Sequence, residues 1–492
     1  MNKHPVSHSL IQTRPQKYIL LTGATGLVGR YLMRDLFLQG RQLAVIVRPH
    51  KKLSVEQRVE SILQMWEKQL GFPLPRPVVF EGDVAEPDLG LNQEALEWIS
   101  VNCSEVIHNA AVLQFVGTGF ENEPWRTNLG GTQNVLEICR RCEIRNLSYV
   151  STAYVCGERR ETVYEDDLDR GQQFRNDYER SKFEAELLVK QAEGFERKTI
   201  FRPAVIVGDS RTGYTSTYHG LFLYLRLLAT LVPQQKTDAS GTLQTPIQLP
   251  LSGDEPRNLV PVDWVSSVIT YVSQTPEIQN RTYHLVPDKC STARDVINAC
   301  YEYFNSDGVV YCGADYDRAA DNEFAQRFFD NARVYESYET SDPHFDKSNV
   351  QEFVGHLPCP PIDKKAIIRF MEFGQSDNWG KRRTQRPQVS RWFSSQLPSV
   401  VEGAQRIRVA DHLTRGQKKL RIGLDIYGPG GGQWKLTACD KKCEITQGLP
   451  IDEYRLLKMD DLQVAKLVSS DIESSTAWAN KLESVLTSAE HE

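Results

Sequence analysis

Between Lys17 and Gly40 the chain reads KYILLTGATGLVGRYLMRDLFLQG, and no other stretch limits its fold so sharply. A strand-length apolar run leads into glycines at 23, 26 and 29, then into apolar residues at helical spacing, stopped by Gly40. Glycine lets such a turn close tightly and lets its backbone approach an anion. The helix that follows offers free N–H groups and the positive end of its dipole. The alternation then repeats. QLAVIVRP is a second apolar strand, stopped by Pro49, and a charged amphipathic helix spans Ser54 to Leu70. PVVFEGDV, SEVIHNAA, LSYVSTAYV and KTIFRPAVIVG supply four more strands, with the helix TQNVLEICRRC between SEVIHNAA and LSYVSTAYV. Strands that are apolar along their whole length and alternate with helices are buried on both faces. The expectation is an α/β fold built on a doubly wound parallel sheet.

At 492 residues the chain exceeds what one hydrophobic core holds, roughly 250–300 residues. From about Ser210 to Gly374 the alternation loosens into a smaller lobe suited to holding substrate. Within it, Thr217–Val232 reads as a helix apolar on nearly every side, which must be buried or must cover something apolar. Residues 376–398, with Lys381, Arg382 and Arg383, read as a solvated linker. Beyond it RIGLDIYGPGGGQWKLTAC reads as a hairpin, KCEITQG and YRLLKM as strands, and DDLQVAKLVSS and TAWANKLESVLTS as helices. Residues 399–492 are therefore expected as a separate small α+β domain, residues 17–375 as the nucleotide-binding and substrate domain, and residues 1–16, broken by Pro5 and Pro15, as a disordered lead.

Composition excludes several classes of partner. A net charge of -6 leaves no basic footprint for nucleic acid. The most apolar stretch, Gly220 to Val232, is too short to span a bilayer and carries Arg226, so no transmembrane helix is expected. Ten cysteines in this length do not make a disulfide framework. Cys139 and Cys142 form a C-x-x-C inside a helical run, and Cys439 and Cys443 form a looser pair. Spacing alone is weak support for zinc, so free thiols in a reducing cytoplasm, and no metal, are expected.

The glycine turn in a first βα unit is the setting in which a dinucleotide binds. At the end of the second strand stands Arg48, where an acidic residue would hydrogen-bond a ribose 2′-hydroxyl; arginine instead offers a fork to a 2′-phosphate, favouring NADP(H). Asp83, ending the third strand, is expected to border the adenine. Tyr178 and Lys182 stand one helical turn apart in DYERSKFEAELLV. A neighbouring ammonium favours the phenolate and would lower the tyrosine toward a working range, while the lysine holds the nicotinamide ribose. Thr152, in YVSTAYVCG, offers a hydroxyl to a substrate carbonyl; Asn109, in HNAA, lies over the cofactor; RPAVIVG supplies backbone groups for the carboxamide.

The ordered set G-x-x-G-x-x-G, GDV, HNAA, NLGGTQNV, YVSTAYV, YERSK and RPAVIVG resembles the extended short-chain dehydrogenases/reductases over about residues 17–375. That resemblance implies a Rossmann sheet, the triad Thr152, Tyr178 and Lys182, and support of the site by Asn128. It also implies cofactor contacts from Gly23, Thr25, Gly26, Leu27, Val28, Gly29, Val84, Asn109, Ala110 and Ala111, with Pro203 and Val205 bordering the nicotinamide. VRPHKK followed by EQRVESIL, DEPRNLVPVDWVSSVI, and SDPHFDKSN with LPCPPID look like the thioester-reductase and fatty-acyl-CoA-reductase branch, in which Arg48 and Arg58 match basic positions near the 2′-phosphate. The hairpin with GPGGGQW is similar to sterol-carrier-type domains and implies a lipid ligand.

The expected activity is NADPH-dependent reduction of an acyl thioester to aldehyde or alcohol, with the apolar helix lining an acyl tunnel. No adenylation region or carrier-serine motif is evident, so acyl-CoA or a separate acyl carrier protein would deliver the chain. Two alternatives stand beside it: the same chemistry on a hydroxysteroid-like lipid or nucleotide sugar, for which Arg211, Arg226 and Arg257 are available, and a non-catalytic NADP sensor, against which the intact Thr–Tyr–Lys set argues.

Overall fold

The computed structural model describes residues 10–13, 17–338, 341–381, 420–439, 442–451 and 454–460. Its centre is a seven-stranded sheet of β1 (Tyr18–Thr22), β2 (Leu43–Val47), β3 (Val78–Glu81), β4 (Cys103–His108), β5 (Asn146–Val150), β6 (Arg197–Pro203) and β7 (Thr282–Leu285). They lie in the order β7-β6-β5-β4-β1-β2-β3, every pair parallel. Side chains alternate across each strand, so the two faces carry separate cores. Ile19 and Leu21 of β1 meet α1 (Leu27–Leu38), α2 (Val55–Leu70) and α7 (Val262–Ser273). Tyr18 and Leu20 meet α3 (Gln93–Asn102), α4 (Gly131–Arg141) and α5 (Asp177–Gln191) on the other face. Six of these strands are those expected from the sequence. The seventh, TYHL, is short and carries His284, so it lacks the apolar run that marks the rest.

Chain order reverses between β1 and β4, and a cleft opens at the carboxyl ends of these strands. The insertions after β6 build the smaller lobe. Strand Val205–Val207 pairs in parallel with Leu259–Pro261, and Leu243–Leu249 with Ser306–Tyr311. Phe222 and Leu225 of α6 (Leu221–Leu231) pack with Ala299 and Cys300 of α8 (Ala293–Phe304) and with Ile367, Phe370 and Met371 of α11 (Lys364–Ser376). The helix expected over Thr217–Val232 starts only at Leu221, because Gly220 takes φ 55, outside the helical region. Packing continues past the expected domain end at 375. α11 reaches Ser376, and the Trp379 ring lies so close to Gly374 that a Cβ there would stand 2.5 Å from it. Tyr218 donates to Asp377 at 2.6 Å. The rest of the expected linker, from 382, lies outside the described residues.

The second sheet contains β8 (Leu420–Tyr427), β9 (Gly432–Cys439), β10 (Lys442–Gln447) and β11 (Tyr454–Asp460). β8 and β9 form the expected antiparallel hairpin, β10 continues it, and β11 lies parallel to β8. The lead expected to be disordered contributes a fifth strand, Leu10–Thr13, antiparallel to β11. Its residues, LIQT, find free backbone partners on the outer side of β11, which no periodicity in the lead itself discloses. Leu449 N–H donates to the Tyr18 hydroxyl at 2.8 Å and the Trp98 indole to Gln447 O at 3.1 Å, tying this sheet to β1 and α3. Both expected terminal helices, beyond 460, lie outside the described residues. No helix among the described residues is long and apolar enough to cross a membrane.

Candidate active site

The turn between β1 and α1 is shaped for close approach. Gly23 adopts φ +70, and a Cβ on it would lie 2.7 Å from Ala110 N and from Asn109 C; on Gly29 it would lie 2.1 Å from Gly23 O. Side chains at either place would push the turn off β4 or α1 off the turn. Gly26 caps α1 with no side-chain hydrogen bond, and the first turn holds no acidic residue, so the helix presents its N–H groups and positive dipole to the cleft. The Asn109 amide donates to Gly23 O at 3.3 Å. A bound dinucleotide pyrophosphate fits this cradle, because only a chain without Cβ atoms leaves the space and nothing negative opposes it.

Beneath the turn, the Thr22 hydroxyl accepts from Asn109 N and Ala110 N at 3.1 and 3.2 Å and bonds His108 Nδ1 at 2.8 Å. His108 Nε2 meets Thr132 Oγ1 at 3.0 Å, and burial holds the ring down at about 3. It is a neutral strut between the ends of β1 and β4.

Three arginines surround the turn. Arg58, on α2, donates to Arg48 O at 2.5 Å and Thr25 Oγ1 at 2.9 Å; burial, then Arg48 and Arg30, hold its guanidinium below the usual arginine range. Such mutual repulsion is relieved by an anion among them. Arg48 is exposed at the rim. Arg30, unforeseen from sequence, donates to Thr25 O at 3.0 Å and Tyr214 Oη at 2.9 Å. Its signal was available: a cation in the first turn of a helix opposes the dipole and needs an anion to justify it.

Across the cleft stands α5. Tyr178 is half-buried, while Lys182 is only 1% exposed. The expected lowering of the tyrosine by the lysine does not occur in this arrangement. Burial, then the Glu179 carboxylate, pushes the Tyr178 phenol up to about 12, opposed by its hydrogen bond with Thr152. The Lys182 ammonium instead donates to the Tyr149 hydroxyl and to Val150 O, each at 2.8 Å, and lies 4.4 Å from the centre of the Tyr149 ring. Burial pushes it down to about 7, against the pull of Glu186. Desolvation leads in both groups, reinforced by Glu179 at the tyrosine and opposed by Glu186 at the lysine. Thr152 caps a short 3-10 turn, Ala153–Cys156, and accepts from Tyr154 N at 3.3 Å.

Asn128 lies in a π-helical turn, Arg126–Gly130. Its side chain accepts from Val112 N at 2.8 Å and donates to Val112 O at 3.1 Å and Ser181 Oγ at 3.0 Å; Ser181 in turn donates to Tyr178 O at 2.9 Å. It braces the loop after β4 against α5. A second brace went unforeseen. Ser151 donates to Glu186 at 2.6 Å, and the wholly buried Arg202 clasps the same carboxylate at 2.6 to 3.1 Å. Its traces in sequence were a serine beside Thr152, a glutamate one turn past Lys182, and the arginine of RPAVIVG.

One cavity of about 690 Å³ gathers Gly23, Thr25, Gly26, Leu27, Val28, Arg48, Arg58, Val84, Asn109, Ala110, Ala111, Thr152, Tyr178, Lys182, Pro203 and Val205 in its wall. Gly29 lies behind the turn and Asn128 behind the loop. Asp83 also stays out of the wall, where Gly82 stands instead; its carboxylate turns back to accept from Ala85 N at 3.0 Å. Buried Cys139 and Cys142 have thiols pushed up by burial and lie outside this wall.

A family model described as "Male sterility protein", an NAD-binding family, matches residues 21–269. The chain is 27% identical over 57% of its length to a linear gramicidin synthase chain of Brevibacillus parabrevis, and 26% identical over 73% to an aldehyde reductase of Aspergillus flavus. It spans 5% and 36% of those two proteins. The crystal structure of the terminal R domain of the myxalamid PKS-NRPS pathway overlays with a TM-score of 0.60 at 25% identity, covering 75% of this chain and 93% of that one.

Proposed function

We propose that the chain, which belongs to the male sterility protein family of NAD-binding domains, reduces a thioester-bound acyl group to an aldehyde with NADPH. It is an oxidoreductase of the extended short-chain dehydrogenase/reductase and thioester-reductase type, acting with a nicotinamide cofactor. The observation that carries the finer reading is one cavity lined both by a protonated phenol, Tyr178, and by two arginines, Arg48 and Arg58, beside the glycine turn. The likeness to the terminal R domain of a PKS-NRPS pathway supports an acyl-thioester substrate, the relative named an aldehyde reductase supports carbonyl reduction, and Arg48 with Arg58 supports the 2′-phosphate.

When bound, the dinucleotide supplies a hydride to the carbonyl carbon. The protein does the rest. Thr152 and Tyr178 hold the carbonyl oxygen, and Tyr178 delivers its proton there as the carbon–oxygen double bond becomes single. Tyr178 recovers that proton as the carbonyl re-forms; the carbon–sulfur bond breaks and the thiol leaves with a proton from solvent. A phenol at about 12 holds its proton through neutral pH, as this direction requires. Lys182, fixed by Tyr149 and Val150, holds an N–H donor at the floor of the cleft for the ribose hydroxyls.

The test is NADPH consumption and aldehyde release across acyl-CoAs, fatty aldehydes, sterols and nucleotide sugars, with Tyr178→Phe alongside. Acyl thioesters should drive turnover. The variant should bind NADPH normally and turn over about 10²–10⁴-fold more slowly. Turnover with sugars alone, or an undiminished variant, overturns the proposal.

A further inference from the structure

Beneath the cleft, buried polar side chains join into one seam in which each proton has a place. The Thr22 hydroxyl accepts from Asn109 N and Ala110 N, so both its lone pairs are taken and its own proton goes to His108 Nδ1 at 2.8 Å. That assigns the imidazole proton to Nε2, which donates to Thr132 Oγ1 at 3.0 Å. Thr132 spends its single proton on Asn128 O at 2.7 Å. Toward Tyr149, its other hydrogen-bond partner, it can therefore only accept. The Tyr149 proton turns to Thr132, and a lone pair is what remains for Lys182 Nζ at 2.8 Å.

We infer that Tyr149, oriented by Thr132 and His108, is a positioning residue that confines the proton exchange of Lys182 to the one Nζ position facing the cleft. An ammonium has three N–H groups. Two of them go to Tyr149 Oη and Val150 O, and neither oxygen has a proton to return. The third position is left for the cavity that Lys182 helps to line. It is an N–H when the lysine is charged and a lone pair when it is neutral. Lys182 thus changes from donor to acceptor toward the ribose hydroxyls without turning. This deepens the reading of α5 given above and rests on it.

The charged and titratable groups facing Lys182 are Glu186 and Tyr178 on its own helix, Tyr149 on β5 and His108 on β4. Burial keeps His108 neutral and pushes both phenols up, and Glu186 is clasped by Arg202 and Ser151. That leaves Lys182 as the group that titrates near neutrality, from about 7 in the empty site.

The experiment measures NADP⁺ affinity of the full chain by calorimetry from about pH 5 to about pH 9, with Lys182→Met as the reference at each pH. The reference meets the same 2′-phosphate and carries the same histidines, so their titrations cancel in the ratio. The wild-type advantage should hold below about 7, where Lys182 donates, and shrink about fivefold as pH rises beyond it. Tyr149→Phe keeps a ring beneath the ammonium, now 4.4 Å from its centre, but removes an acceptor. The onset of the fall should then move down by about one pH unit. Thr132→Val should move it the same way, whereas Thr132→Ser, which keeps the hydroxyl, should leave it in place. An advantage that does not vary with pH, or an onset unmoved in both Tyr149→Phe and Thr132→Val, overturns the inference. Should Tyr149→Phe fail to fold, the two Thr132 variants decide. The binding measurement needs no acyl substrate. An onset that moves in a protein inert toward thioesters would keep the seam and sink the thioester reading; thioester turnover with an immobile onset would do the reverse.

Discussion

Lys182 should weaken the fold it sits in. Its ammonium is buried and pushed down to about 7 from the ordinary lysine value of 10.5. Between those values the unfolded chain holds a proton that the folded chain releases, so stability rises with pH across the window. It is lost as pH falls toward 7 and gains nothing further above about 10.5. A tenfold loss of proton affinity on folding corresponds to about 1.4 kcal/mol. Integrating from about pH 7 to about pH 9 gives a gain of about 2 kcal/mol from this one group. Lys182→Met removes the titration and keeps the volume. The bonds to Tyr149 and Val150 lost with it cost about 1 kcal/mol each at any pH in the range, so they cancel when the two pH values are compared. The measurement is urea unfolding of wild type and variant without dinucleotide, across that range. Wild type should gain about 2 kcal/mol on the variant between the two ends. A constant difference would refute the reasoning, because it would mean that Lys182 titrates in the folded protein as it does in water.

Gly29→Ala places a methyl 2.1 Å from Gly23 O, a backbone atom that cannot step aside without moving the turn. Stability should fall by about 1–3 kcal/mol and NADPH affinity by about tenfold or more, read by thermal unfolding and NADPH fluorescence. Arg48→Asp puts a carboxylate beside the ribose and takes a cation from the rim. The NADPH-to-NADH preference in kcat/KM should drop about tenfold or more, and an unchanged ratio would remove Arg48 from cofactor selection.

Legibility from sequence followed the range of the forces involved. The glycine turn was readable because each glycine answers a contact of a few ångströms: Gly23 against Asn109, Gly29 against Gly23. Strands β1 to β6 were readable because burial on both faces writes continuous apolar runs, whereas β7 is held by its neighbour β6 and by its place under α7 and so needs no such run. Helical spacing put Tyr178 and Lys182 on one face. It did not give their proton affinities, since desolvation is a property of everything that packs above them. The Ser151–Glu186–Arg202 brace is made of residues far apart in the chain and acquires meaning only once β5, β6 and α5 lie side by side. Leu10–Thr13 joined a sheet whose other strands lie more than four hundred residues away, a pairing that local pattern does not carry.

The two shifts in α5 bear on the protonation state from which the site starts. Reduction needs a group that still holds its proton when the substrate oxygen gains charge, and gives it up only then. At about 12, Tyr178 keeps its proton until it meets a base as strong as an oxygen that has just received a hydride. Oxidation of an alcohol would need the same phenol to start ionised, which burial and Glu179 oppose. Lys182 does not relieve that opposition here: it donates to Tyr149 and Val150 and is itself pushed down to about 7 by burial. Burial thus acts on both groups of α5, costing the fold stability at Lys182 and keeping the proton on Tyr178.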